Sequence, residues 1–117
     1  MFVMFIEQYQ FGSITIEGLT YTKDVIILPE RILSEWRRLQ GHELAVEDLE
    51  AVLSRKPSIL VVGTGKTGMM TVGSEVTRQL ESEGIKVLCS KTDEAVKKFN
   101  EYCESNKDVA AALHLTC

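Results

Sequence analysis

Hydrophobic and polar positions change period several times along this chain, and each change marks an element. Ser13-Ile-Thr-Ile-Glu17 alternates strictly at period two, the pattern of a strand with one buried face. Gly18 turns the chain into Thr20 to Lys23, and after Asp24 the run Val25-Ile-Ile-Leu28 continues until Pro29 stops it. These segments predict an antiparallel meander at the start of the domain. Ile32 to Leu39 reads both ways: Ile32, Trp36 and Leu39 suit a helix, whereas Ile32, Ser34 and Trp36 suit a strand. Gly41-His42 then turns the chain.

From Val46 the period lengthens. Val46, Leu49, Val52 and Leu53 share one helical face, and Pro57 ends that helix. Ile59 to Val62 is a continuous β-favouring run, as in a strand buried on both faces of a parallel sheet. Ser74 is an expected N-cap, with Glu75 in the first turn, Val76 and Leu80 on one face, and Gly84 as the stop. A strand over 85–89 follows, so strand 59–63, helix and strand 85–89 make a βαβ crossover with the two strands adjacent and parallel. Thr92 is the expected cap of a last helix with Asp93 and Glu94 in its first turn. Ala95, Val96, Phe99, Tyr102 and Cys103 form its apolar stripe, and Val109 to Leu115 reads as a final strand. Neither a linker nor an internal repeat interrupts the pattern, so residues 1–117 read as a single α/β domain.

Gly63, Gly65 and Gly68 spell G-x-G-x-x-G directly after a strand, which invites a dinucleotide site. Two features oppose it. Helix-start signals come only at Ser74, because an earlier start would bury Gly68 and Gly73 in the helix at about 1 kcal/mol each. The ribose-binding carboxylate expected about 20 residues on is replaced by Leu88-Cys89-Ser90-Lys91. A Walker A loop is excluded because its leading glycine would fall on Leu60. Gly63 to Gly73 is therefore expected to be a long irregular loop at the carboxyl edge of the sheet. Its candidate ligand contacts are Gly63, Thr64, Gly65, Lys66, Thr67 and Gly68, with Lys66 meeting an anion. The competing expectation is that the glycines only let the backbone turn.

Composition narrows the field. At 117 residues, 44% hydrophobic and 26% charged, the chain suits one globular domain that buries about two-thirds of its unfolded surface without a metal or disulfide staple. A net charge of −4, with no basic run interleaved with aromatics, argues against nucleic-acid binding. Cys89, Cys103 and Cys117 are odd in number and lack C-x-x-C spacing, so Cys89 and Cys103 are expected to be reduced core residues in a cytoplasmic protein. The apolar opening Met1 to Ile6 is too short for a signal-peptide core or a membrane span.

No catalytic constellation emerges, and no metal or cofactor is expected. His114 and Cys117 could suggest a nucleophilic pair, but residues three apart on a strand point to opposite faces. His42 reads as a solvated loop residue. Two histidines without ligand spacing do not make a usual zinc site. Trp36 with Arg37 and Arg38 is either an exposed recognition patch or a core tryptophan flanked by solvated arginines.

Several stretches together carry a family resemblance. They are Ile16-Glu-Gly18 with Tyr21, Asp24-Val-Ile-Ile-Leu-Pro29, Trp36, Pro57 to Gly65, Lys91-Thr-Asp-Glu-Ala95 with Phe99-Asn100, and Val109 to Leu113. On these the chain resembles, over nearly its full length, the Mth938-like domains of unknown function. That family includes a mitochondrial complex I assembly factor, a short stand-alone protein linked to adipogenesis and many small prokaryotic proteins. The ending His114-Leu-Thr-Cys117 looks most like the stand-alone branch. The resemblance implies a three-layer α/β/α-type fold with a mixed central sheet, and inclines Ile32 to Arg38 towards strand. It implies no activity, and the assembly role belongs to a branch with a mitochondrial presequence that this chain does not show. Two functions are therefore expected: a non-catalytic adaptor that binds an unknown protein partner, which we favour, or a small-anion binder or cryptic enzyme built on loop 63–68.

Overall fold

A computed structural model describes residues 4–117. Most of the short apolar opening read from the sequence, Met1 to Val3, lies outside the described residues. Elements run in the order β1 (Ile6–Gln10), β2 (Ser13–Ile16), β3 (Leu19–Tyr21), β4 (Val25–Ile27), β5 (Ile32–Leu33) and β6 (Glu43–Leu44). A 3-10 turn (Val46–Leu49) leads into α1 (Glu50–Arg55), followed by β7 (Ile59–Gly63), β8 (Thr71–Val72) and α2 (Ser74–Ser82). The chain closes with β9 (Lys86–Ser90), α3 (Thr92–Glu104) and β10 (Val109–Leu113).

A mixed sheet in the order β5-β4-β10-β7-β9 forms the middle layer. Period two along its strands separates two cores. Val25, Ile27, Val61, Ala111 and Leu113 face a cluster with Ile14, Ile16 and Phe99, formed by the N-terminal sheet and α3. Ile26, Leu60, Val62, Ala110 and Ala112 face Leu49 of the 3-10 turn, Val52 of α1, and Val76 and Leu80 of α2. The result is the expected three-layer arrangement. β7 and β9 are adjacent and parallel from Ile59↔Lys86 to Gly63↔Ser90, as the crossover predicts.

Several boundaries differ from expectation, each for a physical reason. The meander is β1-β2-β3, and Val25–Ile27 leaves it to pair antiparallel with β10. A strand buried on both faces needs a covered sheet, and all three of these residues are buried. Only Ile32–Leu33 of the ambiguous segment pairs, because Glu35 takes a left-handed φ of 57°. Gly73, not Ser74, is the N-cap of α2, and Lys91, not Thr92, that of α3. The 46–53 helix begins as 3-10 and ends with Lys56 at φ 52°, the residue before Pro57 being disfavoured in helix. β10 stops at Leu113, two residues short of Leu115. Cys89 is exposed rather than in the core, since β9 is an edge strand.

Candidate functional site at the carboxyl edge of the sheet

β7, β9 and β10 are parallel, so Gly63, Ser90 and Leu113 end at one sheet edge. β4 runs the other way and pairs Val25 with Leu113, which places Asp24 at that same edge. The sequence thereby brings together the glycine loop, Asp24 and the tail His114 to Cys117.

The glycine loop closes on the chain's own tail. Thr64 N–H donates to the Ser90 carbonyl at 2.9 Å, Lys66 N–H to Thr116 at 2.6 Å, and Met69 N–H to Cys117 at 2.9 Å. Gly68 and Met70 N–H donate to Gly65 and Thr64 at 3.3 and 3.0 Å. Gly65 N–H donates to the buried Thr92 hydroxyl at 2.9 Å, which itself donates to the His114 carbonyl at 2.7 Å. Of the amides from 64 to 70, that of Thr67 alone has no partner among the described residues, and its hydroxyl donates to the Cys117 main chain at 2.9 Å. Gly65 sits at φ +111°, and a Cβ there would overlap the Cys117 backbone and lie 2.9 Å from the His114 ring. Its lack of a side chain is thus required by the tail. Lys66 Nζ pairs with Asp93 at 3.1 Å and lies 5.4 Å from the centre of the Tyr9 ring.

Behind the tail is a buried ionic cluster. Asp24 Oδ1 accepts the Leu115 N–H at 2.7 Å, while Oδ2 receives His114 Nδ1 at 2.8 Å and Arg38 Nη2 at 2.9 Å. Burial alone would raise the Asp24 carboxyl. The His114 ring, the Leu115 amide and Arg38 more than offset this and hold it below the ordinary carboxylate value. An ionised Asp24 only accepts, so His114 carries its proton on Nδ1. The 3.1 Å approach of Arg38 Nη2 to Nδ1 is then two donors converging on one oxygen. Arg38 also donates to the Gly41 carbonyl through Nε and Nη2 at 3.0 and 2.8 Å. No hydrogen bond joins His114 to Cys117, whose side chains were the possible nucleophilic pair. The exposed His42 ring stands edge-on to His114 with centres 5.7 Å apart.

Arg38 corrects one sequence expectation. Its side chain is only 5% exposed, so it is not a solvated arginine. It stacks under Trp36 at 4.7 Å, and the Trp36 ring N–H donates to the Asp48 carbonyl at 2.9 Å. Trp36 is half-buried and Arg37 is exposed. Together with Lys23, Asp24, Glu35 and Thr116 they line an open groove of about 410 Å³. The candidate interaction residues are thus divided, with Trp36 and Arg37 on the groove and Arg38 beneath it. The Asp24–His114–Arg38 cluster was not anticipated. Its one sequence signal was an acid set directly before an apolar strand, which has to emerge at a sheet edge. Among the described residues no group of three or more His, Cys, Asp or Glu side chains could hold a metal ion, and no helix is long and apolar enough to cross a membrane.

Residues 6–114 match the model of a family described as protein of unknown function (DUF498/DUF598). The chain is 32% identical to a conserved hypothetical protein from Pyrococcus horikoshii OT3, covering 97% of this chain and 100% of that one at a TM-score of 0.84. It is 26% identical to a protein named MT938, covering 97% and 99% at a TM-score of 0.83. A Mth938-like domain from Bordetella pertussis has the same fold at 19% identity, covering 96% and 85% with a TM-score of 0.70. The chain belongs to the DUF498/DUF598 family and carries its Mth938-like fold.

Proposed function

We propose that this protein is a non-catalytic, cytoplasmic protein-binding adaptor of the assembly-factor type, and that it docks its partner on the Trp36–Arg37 groove. One observation carries this reading. At the sheet edge where open α/β folds bind ligands, the glycine loop is filled by residues 114–117, while the groove beside it stays open and offers Trp36 and Arg37. Tryptophan and arginine are the side chains enriched at interface hot spots. Wild type, Arg37→Glu and the exposed control Arg31→Glu would be immobilised as full chains and challenged with native lysate. The expected result is a protein retained by wild type and Arg31→Glu and lost at least tenfold with Arg37→Glu. Equal retention by all three overturns the adaptor reading.

A second reading rests on the Thr67 amide, the one loop donor without a partner among the described residues, beside Lys66. Here a phosphate-like anion binds at the loop, and Lys66→Ala weakens it by about 1–2 kcal/mol, the scale of one charge-assisted hydrogen bond. Thermal-shift midpoints that stay fixed with every nucleotide and phosphate ester retire it.

A further inference from the structure

The N-terminal sheet ends in an open strand that borders the same groove. β3 pairs with β2 and, in the order β1-β2-β3, has no strand hydrogen-bonded to its other side among the described residues. Its register is fixed by the two-residue turn Glu17-Gly18, with φ of 49° and 83° at its two positions and Ile16 opposite Leu19. Positive φ at both positions is the type I′ geometry, which closes on a hydrogen-bonded pair. In an antiparallel ladder such pairs alternate, so Leu19 and Tyr21 direct their N–H and C=O to β2 while Thr20 directs its own outward. The open edge is therefore able to accept another strand.

A hollow of about 310 Å³ runs along Thr20 to Lys23 and is bounded opposite by Ser34 and Glu35. Thr22, Lys23 and Glu35 also line the 410 Å³ groove, so the two are continuous as far as Trp36 and Arg37. The charges are unequal. Asp24 is already matched by Arg38 at 2.9 Å behind the groove, which leaves Lys23 and Arg37 against the single acid Glu35. A positive channel on a chain of net charge −4 is complementary to an acidic segment and disfavours a second copy of the chain itself.

We propose that an extended acidic segment of a partner protein adds to the free edge of β3 as a fourth strand and runs its side chains along Lys23, Arg37 and Trp36. Main-chain bonds to Thr20 supply the pairing, and the two cations select the charge. This rests on the adaptor reading and names its binding mode.

The probe is a fluorescein-labelled peptide of alternating Glu and Val, eight residues long, titrated against the full chain by anisotropy and amide NMR. A Lys/Val peptide of the same length is the charge control. A Glu/Val peptide N-methylated at every residue keeps its charge and loses its pairing donors on both edges. The expected result is binding of the acidic peptide, with shifts confined to residues 19–23 and 34–37. Affinity should fall at least tenfold on N-methylation, in Arg37→Glu and in Thr20→Pro. N-methylation leaves the protein untouched, so it decides the matter even where Thr20→Pro folds poorly. Equal binding of the methylated peptide, with loss in Arg37→Glu, overturns strand addition while the adaptor reading stands. Failure of the acidic peptide to bind, or equal binding of the Lys/Val peptide, overturns the proposal. So does concentration-dependent dimerisation abolished by Thr20→Pro, which would assign the edge to a second copy. Lysate partners retained equally by wild type and Arg37→Glu defeat both readings together.

Discussion

The glycine loop and the Trp36 groove flank one sheet edge and have opposite fates. The loop carries the residues that look most like chemistry, yet four of its amides are spent on Ser90, Thr92, Thr116 and Cys117. The groove comes from a stretch without a clear periodicity, and it is the part left open. A glycine-rich loop on a sheet edge serves whichever backbone approaches it, and here that backbone is the chain's own tail. Between the two regions, Asp24 holds the tail through Leu115 N–H and holds Arg38 under Trp36, so it ties loop and groove together.

That role gives the largest expected effect. Asp24→Ala leaves Arg38 and His114 buried without their shared acceptor and should cost about 3–5 kcal/mol, as when one partner of a buried ion pair is removed. Chemical denaturation measures it, and a loss under about 1 kcal/mol would separate the loop from the groove. The same group predicts a pH dependence. The folded Asp24 carboxyl is held below its ordinary value. Its contribution is therefore full above the unfolded pKa of about 3.9 and is lost as pH falls through the lower folded value. Asp24→Asn should flatten the acid limb of a melting-temperature profile, and an unchanged limb would remove Asp24 from the account.

Gly65→Ala is expected to cost about 2–4 kcal/mol, combining strained backbone with a side chain driven into the Cys117 main chain. A wild-type unfolding midpoint would show that the tail is not seated in the loop. The smallest effect belongs to Lys66. Its pair with Asp93 has both side chains more than 40% exposed, so Lys66→Ala should change stability by less than about 0.5 kcal/mol. A larger loss would make this cation part of the structural clamp and would sharpen the contrast with Arg37.

Much of this was legible in the chain. Ile59 to Val62 announces a strand buried on both faces, and the spacing to 85–89 announces the crossover. The stripe through Ala95 and Phe99 announces a helix laid on the sheet. What was not legible concerns partners distant in sequence. Val25–Ile27 reads as a third meander strand until β10, more than 80 positions later, lies beside it. Arg38 reads as solvated until Asp24 and His114 arrive from two other elements. Cys89 reads as buried until β9 proves to be the edge of the sheet.

The sequence alone therefore determined the elements, the two apolar faces of the middle strands and the absence of a Walker or Rossmann signature, because these follow from period and local backbone chemistry. Tertiary structure decided strand order, which of two adjacent arginines is buried, and what occupies the glycine loop. Those outcomes depend on which distant backbone or carboxylate reaches a given donor, and hydrogen bonds over separations of 50 to 90 residues, such as Thr67 to Cys117 and Asp24 to His114, leave no periodic trace in the residues that make them.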